Sequence, residues 1–376
     1  MAMTNRERVL AVLDGKPVDQ VPWIARLQLW YSARQTEGNM PERFRGMTVE
    51  QVGRALRTGD PARNGKVFQP VYKGMEVREE RVAGALRTTY VTPYGTLVYG
   101  QITSDYLAGR IESGLPLEHP IRKVEDYKIW EYITEHTYWE PTYAEYEAYE
   151  KQVGDEGYPM VSAGDCPFHH FQLRLVGYND AYFHLQDYPN EVEHLMTVMT
   201  QVEKERLWPV VANSPARLIL HGMHFDSQMT PPNLFRRWIT PYYKEFSALL
   251  HAKNKRLAWH ADDDSQAILQ DTKDAGFDMA ECFCTAPMVS VTLAEARRVY
   301  GKDVIIWGGV PSVVLEETFP EEEFEEYMRG VFRAIAPGDA MILGVADNVM
   351  PRSLISRVER ISDLVEQHGK YPVQPY

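Results

Sequence analysis

Basic charge is scarce in this 376-residue chain: 40 Lys and Arg stand against 53 Asp and Glu, a formal net charge of −13. Nucleic acid takes much of its binding affinity from phosphate contacts and calls for a basic face. An anionic membrane surface calls for the same. Neither partner is expected. Cysteine is scarcer still, with only Cys166, Cys282 and Cys284. An odd and sparse count builds no disulfide framework and suits a reducing compartment. Long apolar runs are also missing, and none approaches the ~20 residues of a membrane span. The opening MAMTNRERVL turns charged at once, without a secretory apolar core. The expected location is the cytoplasm. No G-x-G-x-x-G follows an apolar run and no P-loop occurs, which removes the sequence support for a nucleotide-binding fold.

What is present is an ordinary globular composition, 44% hydrophobic and 25% charged. Thr4 and Glu7 have capping-box spacing, and Val9, Leu10, Val12 and Leu13 give the helix that follows an apolar face. Residues 66–105 are rich in β-branched residues and Tyr, punctuated by Gly and Pro, as in hairpins. From about residue 157 short apolar runs alternate with longer amphipathic segments. The runs are YPMVSAGDC, ARLILHGMHFD, KRLAWHAD, FDMAECFC, VIIWGGV and AMILGVAD. Strand–helix alternation with near-continuous apolar strands indicates a parallel sheet covered by helices. The expected fold is α/β: a (β/α)8 TIM barrel with an N-terminal helical elaboration and an inserted antiparallel β-hairpin unit. One domain would span residues 1–376, with an N-terminal part at 1–155 and the main run of βα units at 156–376. A doubly wound open sheet is the alternative.

In a parallel barrel the active site lies at the carboxyl ends of the strands. Those ends carry Cys166; His221, His224 and Asp226; His260 and Asp262; Glu281, Cys282 and Cys284; and Asp347 with Asn348. Imidazoles, thiols and carboxylates from separate segments make a metal-site or catalytic inventory. His260 and Asp262 stand two apart and share a face on a strand. They read as two ligands, as one ligand and the carboxylate that orients it, or as a hydrogen-bonded structural pair. Asp263 and Asp264 read as the start of the next helix. Cys282 and Cys284 form C-x-C, more often a buried pair than a metal site. A regular strand points Glu281 away from both thiols unless the strand bulges. Trp30 and Tyr31 either wall a pocket or simply pack.

Several stretches together resemble the uroporphyrinogen decarboxylase superfamily, and within it the corrinoid-dependent methyltransferases. They are MTNRERVLAVLDGKPVDQVPW, TPYGTL, LHGMHFDSQMTPPNLFRRWITPYYKEF, WHADDDSQAILQDTKDAGFDMAECF, ILGVADNVMP and HGKYPV. Thiol-methylating members hold zinc with a His-x-Cys pair and a distant Cys. Here His260 is kept, Asp262 stands for the first Cys, and Asp347 falls at or near the second. The resemblance implies an enzyme that removes a methyl group from a small donor and passes it to the Co(I) of a corrinoid (cobalamin) carried by a partner protein. A methoxylated aromatic is the preferred donor. It implies Zn²⁺ held among His260, Asp262, Glu281 and Asp347. His224 and Asp226 are the catalytic candidates, and Arg26, Trp30, Tyr31, His221 and Cys166 the substrate contacts. A homodimer suits an acidic barrel of this size. Two other readings stay open: a metal-independent decarboxylase of the parent type and a non-catalytic small-molecule-binding barrel.

Overall fold

The computed structural model describes residues 2–82, 84–103 and 114–376. The chain divides into two compact units. One comprises Lys66–Tyr146 and Ala163–Pro215; the other comprises Met1–Gly65, Glu147–Ser162 and Ala216–Tyr376.

The first unit is antiparallel. Strand β1 (Phe68–Tyr72) pairs with β6 (Thr137–Pro141). Strands β2 (Glu76–Val82), β3 (Ala85–Thr92), β4 (Gly95–Ile102) and β5 (Pro116–Glu118) form a four-stranded sheet in that order. The segment read as hairpins, 66–105, contains β1 to β4; its residues 83, 104 and 105 lie outside the described residues. Thr92 pairs with Gly95 across a Pro93-Tyr94 loop, and Thr92 Oγ1 accepts from the Tyr94 amide at 3.1 Å. Tyr90 packs edge-on against Trp130 at 5.6 Å, anchoring the sheet on helix Val124–Glu135.

The second unit holds a parallel six-stranded sheet in the order β12-β11-β10-β9-β8-β7. The strands are β7 (Met160–Ser162), β8 (Leu218–Met223), β9 (Arg256–His260), β10 (Met279–Phe283), β11 (Ile305–Pro311) and β12 (Met341–Ala346). Every residue of β10, β11 and β12 is buried, which is why these runs read as unbroken apolar stretches. Helices separate successive strands from β8 onward. Helix Glu321–Ile335 shows the logic: Phe324, Met328, Val331, Phe332 and Ile335 are buried at helical spacing, and three glutamates occupy its first turn. The fold is mixed α/β with a parallel sheet. Two further segments extend the pairing. Ile24 N–H donates to Leu343 O at 2.9 Å, beside β12. Met160 N–H donates to Ala62 O at 2.9 Å, beside β7. Gly59 N–H donates to Trp23 O at 2.9 Å and links these two segments to each other.

Helix Asn5–Leu13 closes the N-terminal side of the sheet. Its capping box forms as read, with Thr4 Oγ1 accepting from Glu7 N–H at 3.2 Å and the Glu7 carboxylate accepting from Thr4 N–H at 2.8 Å. Val9, Val12 and Leu13 join Ile24, Met160, Leu218, Leu220, Ala258, Met279, Ile305, Trp307 and Ile342 in one apolar cluster. No helix among the described residues is long and apolar enough to cross a membrane.

Lys255, just before β9, is only 4% exposed, and its Nζ donates to the Ala216 carbonyl. Burial, with Lys253 nearby, lowers its pKa to about 8. An unfolded lysine titrates near ~10.4, so between the two values the unfolded chain binds more protons and stability rises with pH. Melting temperatures from pH 7 to 11 check this. The wild-type value is expected to gain on that of Lys255→Met between about pH 8 and 10.4; a constant gap contradicts it.

Candidate active site and metal centre

Strand parity decides which side chains meet. Ala258, Met279, Leu220 and Ile24 face the apolar cluster, so side chains two positions on face the same way. His260 follows Ala258, Glu281 follows Met279, and Arg26 follows Ile24. His221 has the opposite parity. Its ring lies among Tyr242, Tyr243 and Phe246 of helix Thr240–His251, with Nδ1 2.9 Å from Tyr243 OH.

His260 is the centre of the resulting group. Its Nδ1 lies 2.6 Å from Glu281 Oε2. A carboxylate only accepts, so the ring nitrogen donates. Nε2 then faces Asp347 Oδ1 at 3.3 Å and Asp262 Oδ2 at 3.5 Å. Asp262 also accepts from His224 Nδ1, at 2.8 and 3.0 Å to its two oxygens. The His224 and His260 rings stand edge to face at 5.2 Å. Glu281 is ion-paired with Arg63, and Asp347 with Arg26. Asn348 Nδ2 donates to Asp347 Oδ2 at 3.0 Å.

Two irregularities in the sheet make this possible. On β10 the register with β11 shifts between Glu281 and Phe283, and Cys282 has φ 53°. A bulge there turns Cys282 to the same side as Glu281, with Sγ 3.0 Å from Oε1. Gly308 opposite has φ 143°, and a Cβ there would stand 2.5 Å from Phe283 N, so only glycine admits the bulged backbone. On β8 the register with β9 shifts between Leu220 and Met223, and His224 has φ 58°.

The charges sustain one another. Burial pushes the Glu281 carboxyl up, but Arg63 and His260 hold it well below the usual carboxylate range. Asp347 is likewise held far down, against burial, by Arg26 and His260. Burial disfavours charge on His260, yet Asp262, Cys282 and Glu281 raise its pKa well above the ordinary value. Burial and the neighbouring Glu281 push the Cys282 thiol up to about 12. Asp263, beside Asp262, is raised by burial to about 6.

Among the described residues, two groups have donors placed to hold a metal ion. They are His224, His260 and Asp262, and His260, Cys282 and Asp347; the donor atoms of each lie within 4.8 Å of one another. Of the residues picked from sequence, Arg26, His224, His260, Asp262, Glu281 and Asp347 come together. Asp226 does not join them: its Oδ1 accepts from the Gln228 and Met229 amides at 2.7 and 3.0 Å and shapes a turn. Trp30 packs edge-on against Phe44, and Tyr31 OH donates to Met47 O at 2.7 Å. Cys166 belongs to the other compact unit, buried at the start of helix Pro167–His170. Asp264 accepts from the Gln266 and Ser290 amides in a turn, whereas Asp263 faces His224 at 3.9 Å. Arg63 has no place in the sequence reading, and Cys282, read there with Cys284 as more often a buried pair, meets Glu281 only through the bulge. Arg63 sits in an irregular DPARNG stretch without periodicity, and the bulge that turns Cys282 leaves no composition signal.

The profile of the family described as "Uroporphyrinogen decarboxylase (URO-D)" matches residues 112–368, well over half of the chain. The chain belongs to this family. No curated protein shows significant sequence similarity to it. Among solved structures, a methyltransferase from Methanosarcina mazei superposes over 97% of this chain and 99% of its own, with TM-score 0.52 and 13% identity, a likeness of fold. An octameric ribulose-1,5-bisphosphate carboxylase/oxygenase from Pyrococcus horikoshii OT3 aligns over 67% of this chain and 58% of its own, with TM-score 0.31 and 9% identity. A xylose isomerase domain protein from Planctomyces limnophilus aligns over 65% and 84%, with TM-score 0.29 and 10% identity.

Glu281 is 1% exposed and neutralises Arg63. Removing one partner of a buried ion pair strands the other charge. Glu281→Gln is expected to lower unfolding free energy by about 3 kcal/mol in denaturant titration. An unchanged midpoint contradicts the ion-pair account.

Proposed function

We propose that the chain is a methyltransferase of this family, which moves a methyl group from a small methoxylated aromatic to the Co(I) of a corrinoid carried by a partner protein. The reading takes the second unit as a (β/α)8 barrel, closed by the segments at residues 22–26 and 58–65. It takes His260, shared by both donor groups, as the central zinc ligand, with Asp262 and Asp347 the carboxylates beside its Nε2. One observation carries it: Glu281 occupies Nδ1 of His260, which leaves Nε2 directed at two carboxylates, Asp262 just past the end of its own strand and Asp347 at the end of β12. Carboxylate-held imidazole is the usual arrangement of a metal ligand. The donor set of imidazole nitrogen and carboxylate oxygen suits zinc.

Bound zinc supplies Lewis acidity toward a departing oxygen. The remaining roles fall to the chain. Glu281, braced by Arg63, fixes the tautomer and tilt of His260. Asp262 holds His224 and, against the effect of burial, raises its pKa, so His224 keeps a proton to give. A corrinoid presented by the partner would supply the nucleophile that takes up the methyl group, and the electron pair of the broken C–O bond would stay on oxygen. His224 delivers the proton that makes a phenol of the phenolate. Asp226 sets the turn that follows His224.

Arg26 and Arg63 favour a second reading, metal-independent decarboxylation, because guanidinium groups bind carboxylates. Both are already ion-paired here, which ranks it second. Elemental analysis of protein purified without chelator, together with a demethylation assay on methoxyarenes with Co(I) cobalamin, separates the readings. The proposal expects about one zinc per chain. His260→Ala loses the zinc and at least ~100-fold in activity while staying folded. Full activity in metal-free protein overturns it.

A further inference from the structure

The notable group outside that ligand set is the thiol turned into the site by the β10 bulge. Cys282 adopts φ 53°, a conformation that side-chain-bearing residues rarely take, and the effect is to turn Sγ into the cluster, 3.0 Å from Glu281 Oε1 and 3.5 Å from the Asp347 carbonyl oxygen. Its Sγ, a donor nitrogen of His260 and a carboxylate oxygen of Asp347 lie within 4.8 Å of one another. A cation already stands beside them: Arg26 Nη1 pairs with Asp347 Oδ1 and lies 3.4 Å from Cys282 Sγ. The spot therefore accommodates positive charge between a thiol and a carboxylate. Cys284, two residues on, is not part of either donor group and lies 4.0 Å from the Thr285 carbonyl oxygen.

We propose that Cys282 is a thiolate ligand of the metal, bound together with His260 and Asp347. This rests on the metal reading above and adds to it a soft donor reached by a bulge rather than by the regular strand ends. On binding, the thiol proton leaves to solvent and the sulfur lone pair enters the new bond, so no oxidant or reductant is involved. A thiolate also biases the site toward zinc over magnesium or manganese.

Cobalt(II) titration followed by absorption spectroscopy tests this without reference to turnover. The informative variant is Cys166→Ser/Cys284→Ser, which leaves Cys282 as the sole cysteine. It is expected to show visible ligand-field bands together with a near-ultraviolet thiolate-to-cobalt charge-transfer band. Cys282→Ser is expected to keep the first and lose the second. Ligand-field bands without charge transfer in the double variant overturn the Cys282 assignment and leave the metal site standing. No cobalt binding by the wild type, with zinc unable to bind either, overturns the metal site and this inference together.

Discussion

The hydrogen bond from His260 Nδ1 to Glu281 Oε2, 2.6 Å long between two buried side chains, is the interaction on which the site depends. It joins β9 to β10 at their carboxyl ends. It commits one ring nitrogen to Glu281 and leaves the other facing Asp262 and Asp347. A buried carboxylate and imidazole persist together only because further charges complete them. Arg63 neutralises the far oxygen of Glu281, while Asp262 and Asp347 flank the second ring nitrogen. Without Glu281 the ring loses its tautomer and Arg63 loses its partner, so orientation and stability fail together.

Backbone irregularity completes what side-chain pairing begins. A regular strand presents every second residue to one side, so Glu281 and Cys282 would face opposite ways. The bulge at Cys282 brings both to the cluster, and Gly308 on β11 makes room for it. A register shift on β8 similarly precedes His224, whose ring meets Asp262. Such bulges re-aim side chains next to functional sites. Here they gather imidazole, thiol and carboxylate donors that regular strand geometry would have kept apart.

The parallel sheet was legible because its strands are buried on both faces and read as unbroken apolar runs. The capping box at Thr4 and Glu7 was legible because it needs only local spacing. His260 and Asp262 were legible through period two, Asp347 as a strand-end carboxylate, and Arg26 through family resemblance. Cys282 was not, since parity assumes regular strands and nothing in FDMAECFC marks a positive φ. Arg63 was not, since a guanidinium arriving from an irregular loop has no period at all. His221 shows the same limit from the other side. It lies on the same run as His224, but its parity buries it against Tyr243.

X-ray diffraction collected on either side of the zinc absorption edge tests the central claim most directly. With zinc supplied, the account predicts one anomalous difference peak at about 2.0–2.1 Å from His260 Nε2, with Glu281 still on Nδ1. A peak bonded elsewhere, or none at this site in zinc-soaked crystals, would contradict it and return the cluster to a purely ion-paired role.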